Sequence, residues 1–153
     1  MRKILVSTCL LGQKITGSRV RYNDGDVPCL DERFLRWHAE GRFVHICPEV
    51  IGGLSTPRPR ARLVGDRVVA EDGSDVTSAY EKGAQAALVL AKKHGITLAI
   101  LKQDSPSCGS SLIFSEDFKS RVHGEGRTAE LLRRNGIAVF GEDELDAVER
   151  ELG

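Results

Sequence analysis

Four short, unbroken apolar runs constrain the fold more than any other feature of this chain: Lys3–Thr8, Arg42–Ile46, Thr97–Leu101 and Ile137–Phe140. Runs of this length without polar alternation suit strands buried on both faces. The segments between them carry helical signals instead. Leu30–Ala39 reads as a helix stopped by Gly41. Ser74 or Asp75 caps a long helix in which Val76, Tyr80, Ala84, Ala87, Leu88 and Ala91 recur at helical intervals, and Gly95 ends it. Thr128–Asn135 is a third helix with Gly136 at its end, and Glu142–Leu152 a fourth.

Strands that alternate with helices imply a mostly parallel sheet covered on both faces, because each parallel connection must cross over. The expectation is therefore α/β: residues 1–153 as a single domain, a three-layer sandwich with a mostly parallel, Rossmann-like sheet. Arg62–Val64 and Val68–Ala70, around Gly65-Asp66-Arg67, add a small β-hairpin. Ligands of such sheets collect beyond the carboxyl ends of the strands, where the strand order reverses. Functional residues are expected just after strands.

Charge and composition narrow the partners. The 153 residues carry 22 Lys+Arg against 22 Asp+Glu, so the net charge is zero. That balance argues against nucleic acid, since phosphate neutralisation supplies most non-specific affinity for it. A hydrophobic fraction of 41% with 29% charged residues is that of an ordinary globular protein. The longest apolar stretches, Ile4–Val6 and Ala86–Ala91, fall far short of the ~20 residues needed to span a membrane. Arg2, Lys3, Ile4–Val6 and Cys9 have the order of a lipoprotein signal, but the apolar segment is shorter than the about 7–15 residues such a signal requires. The expected location is cytoplasmic. A chain this long buries roughly 70% of its unfolded surface, so a metal is not needed merely to fold it and would serve chemistry.

Three of the four cysteines follow predicted strands: Cys9, Cys47 and, after a short loop, Cys108. A single free cysteine is ordinarily a small buried hydrophobe. These three lie in backbone-bending sequence, Cys9-Leu10-Leu11-Gly12, Cys47-Pro48-Glu49 and Ser105-Pro106-Ser107-Cys108-Gly109, where a packing residue is not expected. Cys29, at a predicted helix start, reads as structural. Disulfides do not suit a cytosolic chain, and no Cys-x-x-Cys is present for thiol exchange. Metal remains. Closely paired zinc ligands are absent, which leaves a catalytic zinc with three protein ligands or an iron–sulfur cluster with one iron open to water or substrate.

The same segments carry a resemblance. Cys9-Leu10-Leu11-Gly12 with Val20-Arg21-Tyr22-Asn23-Asp24-Gly25, Cys47-Pro48-Glu49-Val50-Ile51-Gly52-Gly53-Leu54 with Pro57-Arg58-Pro59, Ser105-Pro106-Ser107-Cys108-Gly109, and Gly124-Glu125-Gly126 before Thr128-Ala129 together resemble the thiouracil desulfidase family, in order over essentially the whole chain. The resemblance implies a 4Fe-4S cluster held by Cys9, Cys47 and Cys108 with one open iron. It also implies removal of sulfur from thiolated pyrimidines such as thiouracil without net redox change. Cys29 has no counterpart among the family's ligands.

On that basis the substrate's thiocarbonyl sulfur is expected to bind the open iron, water to attack the thiocarbonyl carbon, and hydrosulfide to leave. Glu49, two residues after a cluster cysteine, is the expected general base, because a carboxylate held away from bulk water gains a raised pKa suited to proton transfer. Taken alone it would read as a loop or helix-cap carboxylate. Ser105 is assigned to proton relay or a substrate hydrogen bond, although a serine before proline is also an ordinary turn residue. Tyr22, Asp24, Arg58 and Ser107 are assigned to the substrate. Asn23-Asp24-Gly25 is equally a plain turn, and Arg58, Arg60 and Arg62 alternate as a solvated basic strip would.

Gly124-Glu125-Gly126 ahead of Thr128 looks like part of a dinucleotide fingerprint, yet Lys119, Ser120 and Arg121 stand where the preceding apolar strand should be, so nicotinamide and flavin binding are rejected. His45 shares strand parity with Cys47, whereas His38, His94 and His123 read as surface or loop residues. Two other readings stay open at this stage. One is a three-cysteine zinc hydrolase, and the other a non-catalytic iron–sulfur or sulfur-carrying module in which Glu49 and Ser105 are incidental.

Overall fold

The computed structural model describes residues 1–11, 29–53, 61–102, 112–114, 121–123 and 125–153. Along the chain these form β1 (Ile4–Ser7), α1 (Glu32–Ala39), β2 (Phe43–Ile46), α2 (Pro48–Ile51), β3 (Ala61–Val64), β4 (Arg67–Ala70), α3 (Thr77–Lys93), β5 (Leu98–Leu101), β6 (Leu112–Phe114), β7 (Arg121–His123), α4 (Arg127–Arg134), β8 (Ala138–Gly141) and α5 (Leu145–Leu152). The four apolar runs are β1, β2, β5 and β8, each within one residue of its expected bounds. They pair in parallel in the order β2-β1-β5-β8.

The sheet divides the core into two halves. On one face Leu5, Ala99 and Leu101 meet Ala87, Leu88 and Ala91 of α3 and Ala129 and Leu132 of α4. On the other, Ile4, Val6, Leu98 and Ile100 meet Phe34 and Trp37 of α1 and Leu145 and Val148 of α5. Successive strand residues point to opposite faces, and the central strands β1 and β5 are buried along their whole length; β2 and β8, at the sheet's edges, are only partly buried, which corrects the expectation that all four are buried on both faces. Burial of each large aliphatic side chain contributes about 1.5–3 kcal/mol. The arrangement is the three-layer α/β sandwich expected from the alternation.

Three of the parallel strands are entered through the same kind of helix end. Gly41, Gly95 and Gly136 have φ of +74°, +63° and +83°. In each case the glycine N–H and the following N–H bond back to carbonyls of the last turn: Gly41 to His38 and Arg42 to Trp37, Gly95 to Lys92 and Ile96 to Ala91, Gly136 to Arg133 and Ile137 to Leu132. This double bond pattern satisfies otherwise orphaned carbonyls and turns the chain sharply back toward the sheet, and the left-handed φ it needs favours glycine.

β3 and β4 form the expected antiparallel hairpin around Gly65-Asp66. Three features depart from the sequence reading. α5 starts at Leu145 rather than Glu142, because Glu144 folds its carboxylate onto the Gly141 N–H at 2.9 Å and closes a turn first. α2 was not anticipated; Pro48 at its first position presets the helical φ. A strand does precede Gly124: β7, paired antiparallel with β6. The sequence ground for rejecting a dinucleotide fingerprint is thereby corrected. β7 belongs to this two-stranded ribbon and not to the parallel sheet, so the strand–turn–helix unit of that fingerprint is not formed there.

Candidate functional site

α1, the helix that follows β1, covers one face of the sheet, whereas α4, the helix that follows β5, covers the other with α3. The two strands are neighbours, so the strand order reverses between them, and the edge beyond their carboxyl ends is where sheets of this kind bind ligands. Cys9 and Cys47 stand at this edge. Cys9 lies in a single 3-10 turn, Thr8–Leu11, where Thr8, Leu10 and Leu11 are buried and Cys9 is half-buried. Cys47 directly follows β2 as the residue that caps α2, and is also half-buried. Ser7 at the end of β1 pairs in register with Ile46 at the end of β2, which brings the two cysteine-bearing turns to one end of adjacent strands.

Polar side chains lace this edge from strand to strand. The Thr8 hydroxyl and His45 Nδ1 are 3.1 Å apart and join β1 to β2. Ser7 Oγ, on a residue only 2% exposed, accepts the Lys102 backbone N–H at 2.9 Å and joins β1 to the exit of β5. Lys102 Nζ donates to Glu142 Oε1 at 2.8 Å and joins that exit to the end of β8. The ammonium and carboxylate are each about one-fifth exposed, at 21% and 23%. A pair so shielded is more than the exposed kind that contributes little. These residues were not singled out from the sequence, apart from His45. The signal was there: Ser7-Thr8, Lys102 and Glu142 are polar residues at the carboxyl ends of apolar runs.

Cys29 is placed differently. Its N–H donates to the Leu10 carbonyl at 2.9 Å, two residues before the Asp31 that caps α1, and it packs against the α1-face core. Burial pushes the Cys29 thiol up, against the Asp31 backbone N–H that favours the thiolate. A metal ligand must be a thiolate, so this environment suits the structural assignment.

Glu49 is the second residue of α2, immediately beyond the turn that carries Cys47. Cys108, Ser105, Ser107, Tyr22, Asp24 and Arg58 lie outside the described residues. Among the described residues no group of three or more His, Cys, Asp or Glu side chains converges as a metal site. The two cysteines placed at the edge supply soft sulfur donors. Such a donor set fits an iron–sulfur group better than a hard cation.

The comparisons agree with one another. A family model described as 2-thiouracil desulfurase matches residues 4–144. The uncharacterised protein YbbK of Bacillus subtilis (strain 168) is 36% identical over 156 aligned positions, covering 95% of this chain and 99% of its own. The solved structure of TudS, a [4Fe-4S]-dependent thiouracil desulfidase, superposes with a TM-score of 0.88 at 46% identity, over 99% of this chain and 98% of that one.

Proposed function

This chain belongs to the 2-thiouracil desulfurase family, and from that premise we propose that it is a [4Fe-4S]-dependent desulfidase acting on a small thiolated pyrimidine. Cys9, Cys47 and Cys108 hold the cluster. The observation that carries this reading is the placement of Cys9 and Cys47 past the paired carboxyl ends of β1 and β2, beside the point where the connections change face. In the sequence Cys108 comes seven residues after Leu101, the last residue of β5, which is the other neighbour of β1. Three protein ligands leave one iron of a four-iron cluster open, and when bound such a cluster supplies a Lewis acid that polarises a thiocarbonyl.

The chain's own residues then manage the water, the proton and the ring. Glu49 takes a proton from the attacking water, because the start of α2 is joined directly to the Cys47 turn. Ser105 passes a proton or hydrogen-bonds the substrate, while Tyr22, Asp24, Arg58 and Ser107 bind the pyrimidine. The net change replaces carbon–sulfur by carbon–oxygen bonds, consumes one water and releases hydrogen sulfide, so no electron donor is required.

Anaerobic reconstitution with iron and sulfide, followed by visible absorption and hydrosulfide release from 2-thiouracil and 4-thiouracil, tests the reading. Absorption and release together are expected in the wild type. Cys47→Ala should abolish both, and a colourless, fully active Cys47→Ala would sink the ligand assignment. Glu49→Gln should keep the absorption and lose turnover; wild-type rates in that variant would remove Glu49 from the mechanism.

A further inference from the structure

Gly83 sits in the middle of α3, where glycine is a poor helix former and alanine would serve the helix better. Its backbone is ordinary helix, so conformational freedom does not explain it. Space does. A Cβ at Gly83 would lie 1.9 Å from the Pro48 carbonyl oxygen and 2.6 Å from its carbon. The contact is reciprocal: a Cβ at Gly52 would lie 2.0 Å from the Ala79 carbonyl oxygen, one helical turn before Gly83. Gly52 also has helical angles, φ −70° and ψ −7°, that any residue adopts. Backbone is thus pressed on backbone from both sides, and both obstructing groups are carbonyls, which cannot swing aside as a flexible side chain can. The Pro48 carbonyl is further held by the Gly52 N–H at 2.8 Å.

Pro48 directly follows Cys47. We propose that Gly83, with Gly52, is a positioning residue for the Cys47 thiolate: the close seat of α2 on α3 sets where the Cys47 turn stands relative to the ends of β1 and β2. This rests on Cys47 being a cluster ligand. A methyl group at either glycine displaces the α2 turn, and the adjacent Cys47 with it, while the two-faced core and Cys9 stay in place.

The experiment compares wild type, Gly83→Ala and Gly52→Ala in two states. In the cluster-free protein, alkylation by iodoacetamide is followed at each cysteine by peptide mass spectrometry. The Cys47 rate is expected to change by about tenfold in both variants, as local opening of a seat does, with the Cys9 rate at the wild-type value. In the reconstituted protein, the electron paramagnetic resonance spectrum of the reduced cluster should shift and its lifetime in air should shorten. Wild-type Cys47 labelling in both variants overturns the proposal. So does loss of a cooperative unfolding transition in either, because the displacement is confined to the α2 turn. Cys47→Ala separates the two levels: if that variant binds a cluster with the wild-type spectrum, the ligand assignment fails, whereas the labelling of Cys47 still reports whether the glycines place it.

Discussion

A buried hydroxyl ties β1 to the exit of β5. Ser7 Oγ accepts the Lys102 N–H, and its removal would delete that bond between the strand ends. Leaving a buried donor unmade costs about 1–3 kcal/mol. Ser7→Ala should therefore lower the stability of the cluster-free protein by that amount, read as a lower urea midpoint at unchanged slope. An unshifted midpoint would show that the edge is held elsewhere. Residue by residue, the site was legible where a side chain is unusual for its surroundings: Cys9 and Cys47 stood out after apolar runs. Ser7, Lys102 and Glu142 did not, because a polar residue ending a strand is ordinary until its partner is known. Lys102 and Glu142 are 40 residues apart and meet only because β5 pairs with β8.

At the scale of elements, the start of α3 shows how one carboxylate serves a helix and a hairpin together. Asp75 Oδ1 accepts the Thr77 N–H at 2.9 Å, and its Oδ2 receives Arg67 of β4 at 2.8 Å. Hydrogen bonds from the Thr77 hydroxyl and N–H, and then the Arg67 guanidinium, hold Asp75 down at about 2 from an ordinary 3.8. The buried Thr77 hydroxyl in turn accepts the Val68 N–H at 2.8 Å. A carboxyl whose folded pKa is depressed contributes stability above its unfolded value and loses it as pH falls through the folded one. The thermal midpoint of the wild type should drop between pH 4 and pH 2, and Asp75→Asn should flatten that part of the profile. A parallel profile in the two proteins would remove Asp75 as its source. The sequence expects the cap at Ser74 or Asp75; in the structure Val76 occupies the cap position and no side chain caps from it, while Asp75 bonds the Thr77 N–H from one residue further out. The sequence did not announce α2, a single turn too short to show periodicity.

At the scale of the whole molecule, the sheet carries a complete core on each face, and Cys9 and Cys47 lie beyond its edge. The cluster would then add to a fold that already stands. Chelation of iron from the reconstituted protein should lower the thermal midpoint, because a group that binds the folded state stabilises it by mass action. The far-UV circular dichroism and a cooperative transition should survive. Collapse of both on chelation would show that the cluster is part of the core, as metals are in small zinc domains.

What depends on neighbours along the chain is legible in the residues alone: the strands of the parallel sheet, the helix stops at Gly41, Gly95 and Gly136, and the delivery of Cys9 and Cys47 to strand ends. Apolar continuity and the left-handed turn are local requirements, so a short window contains them. The tertiary structure decided the order β2-β1-β5-β8, the face each helix covers, the lacing of the carboxyl edge and the seat of α2 on Gly83. Each of these joins residues tens of positions apart. Their energies exist only once the strands have paired, because a hydroxyl, a carboxylate or a missing methyl group has no meaning for stability until something stands opposite it.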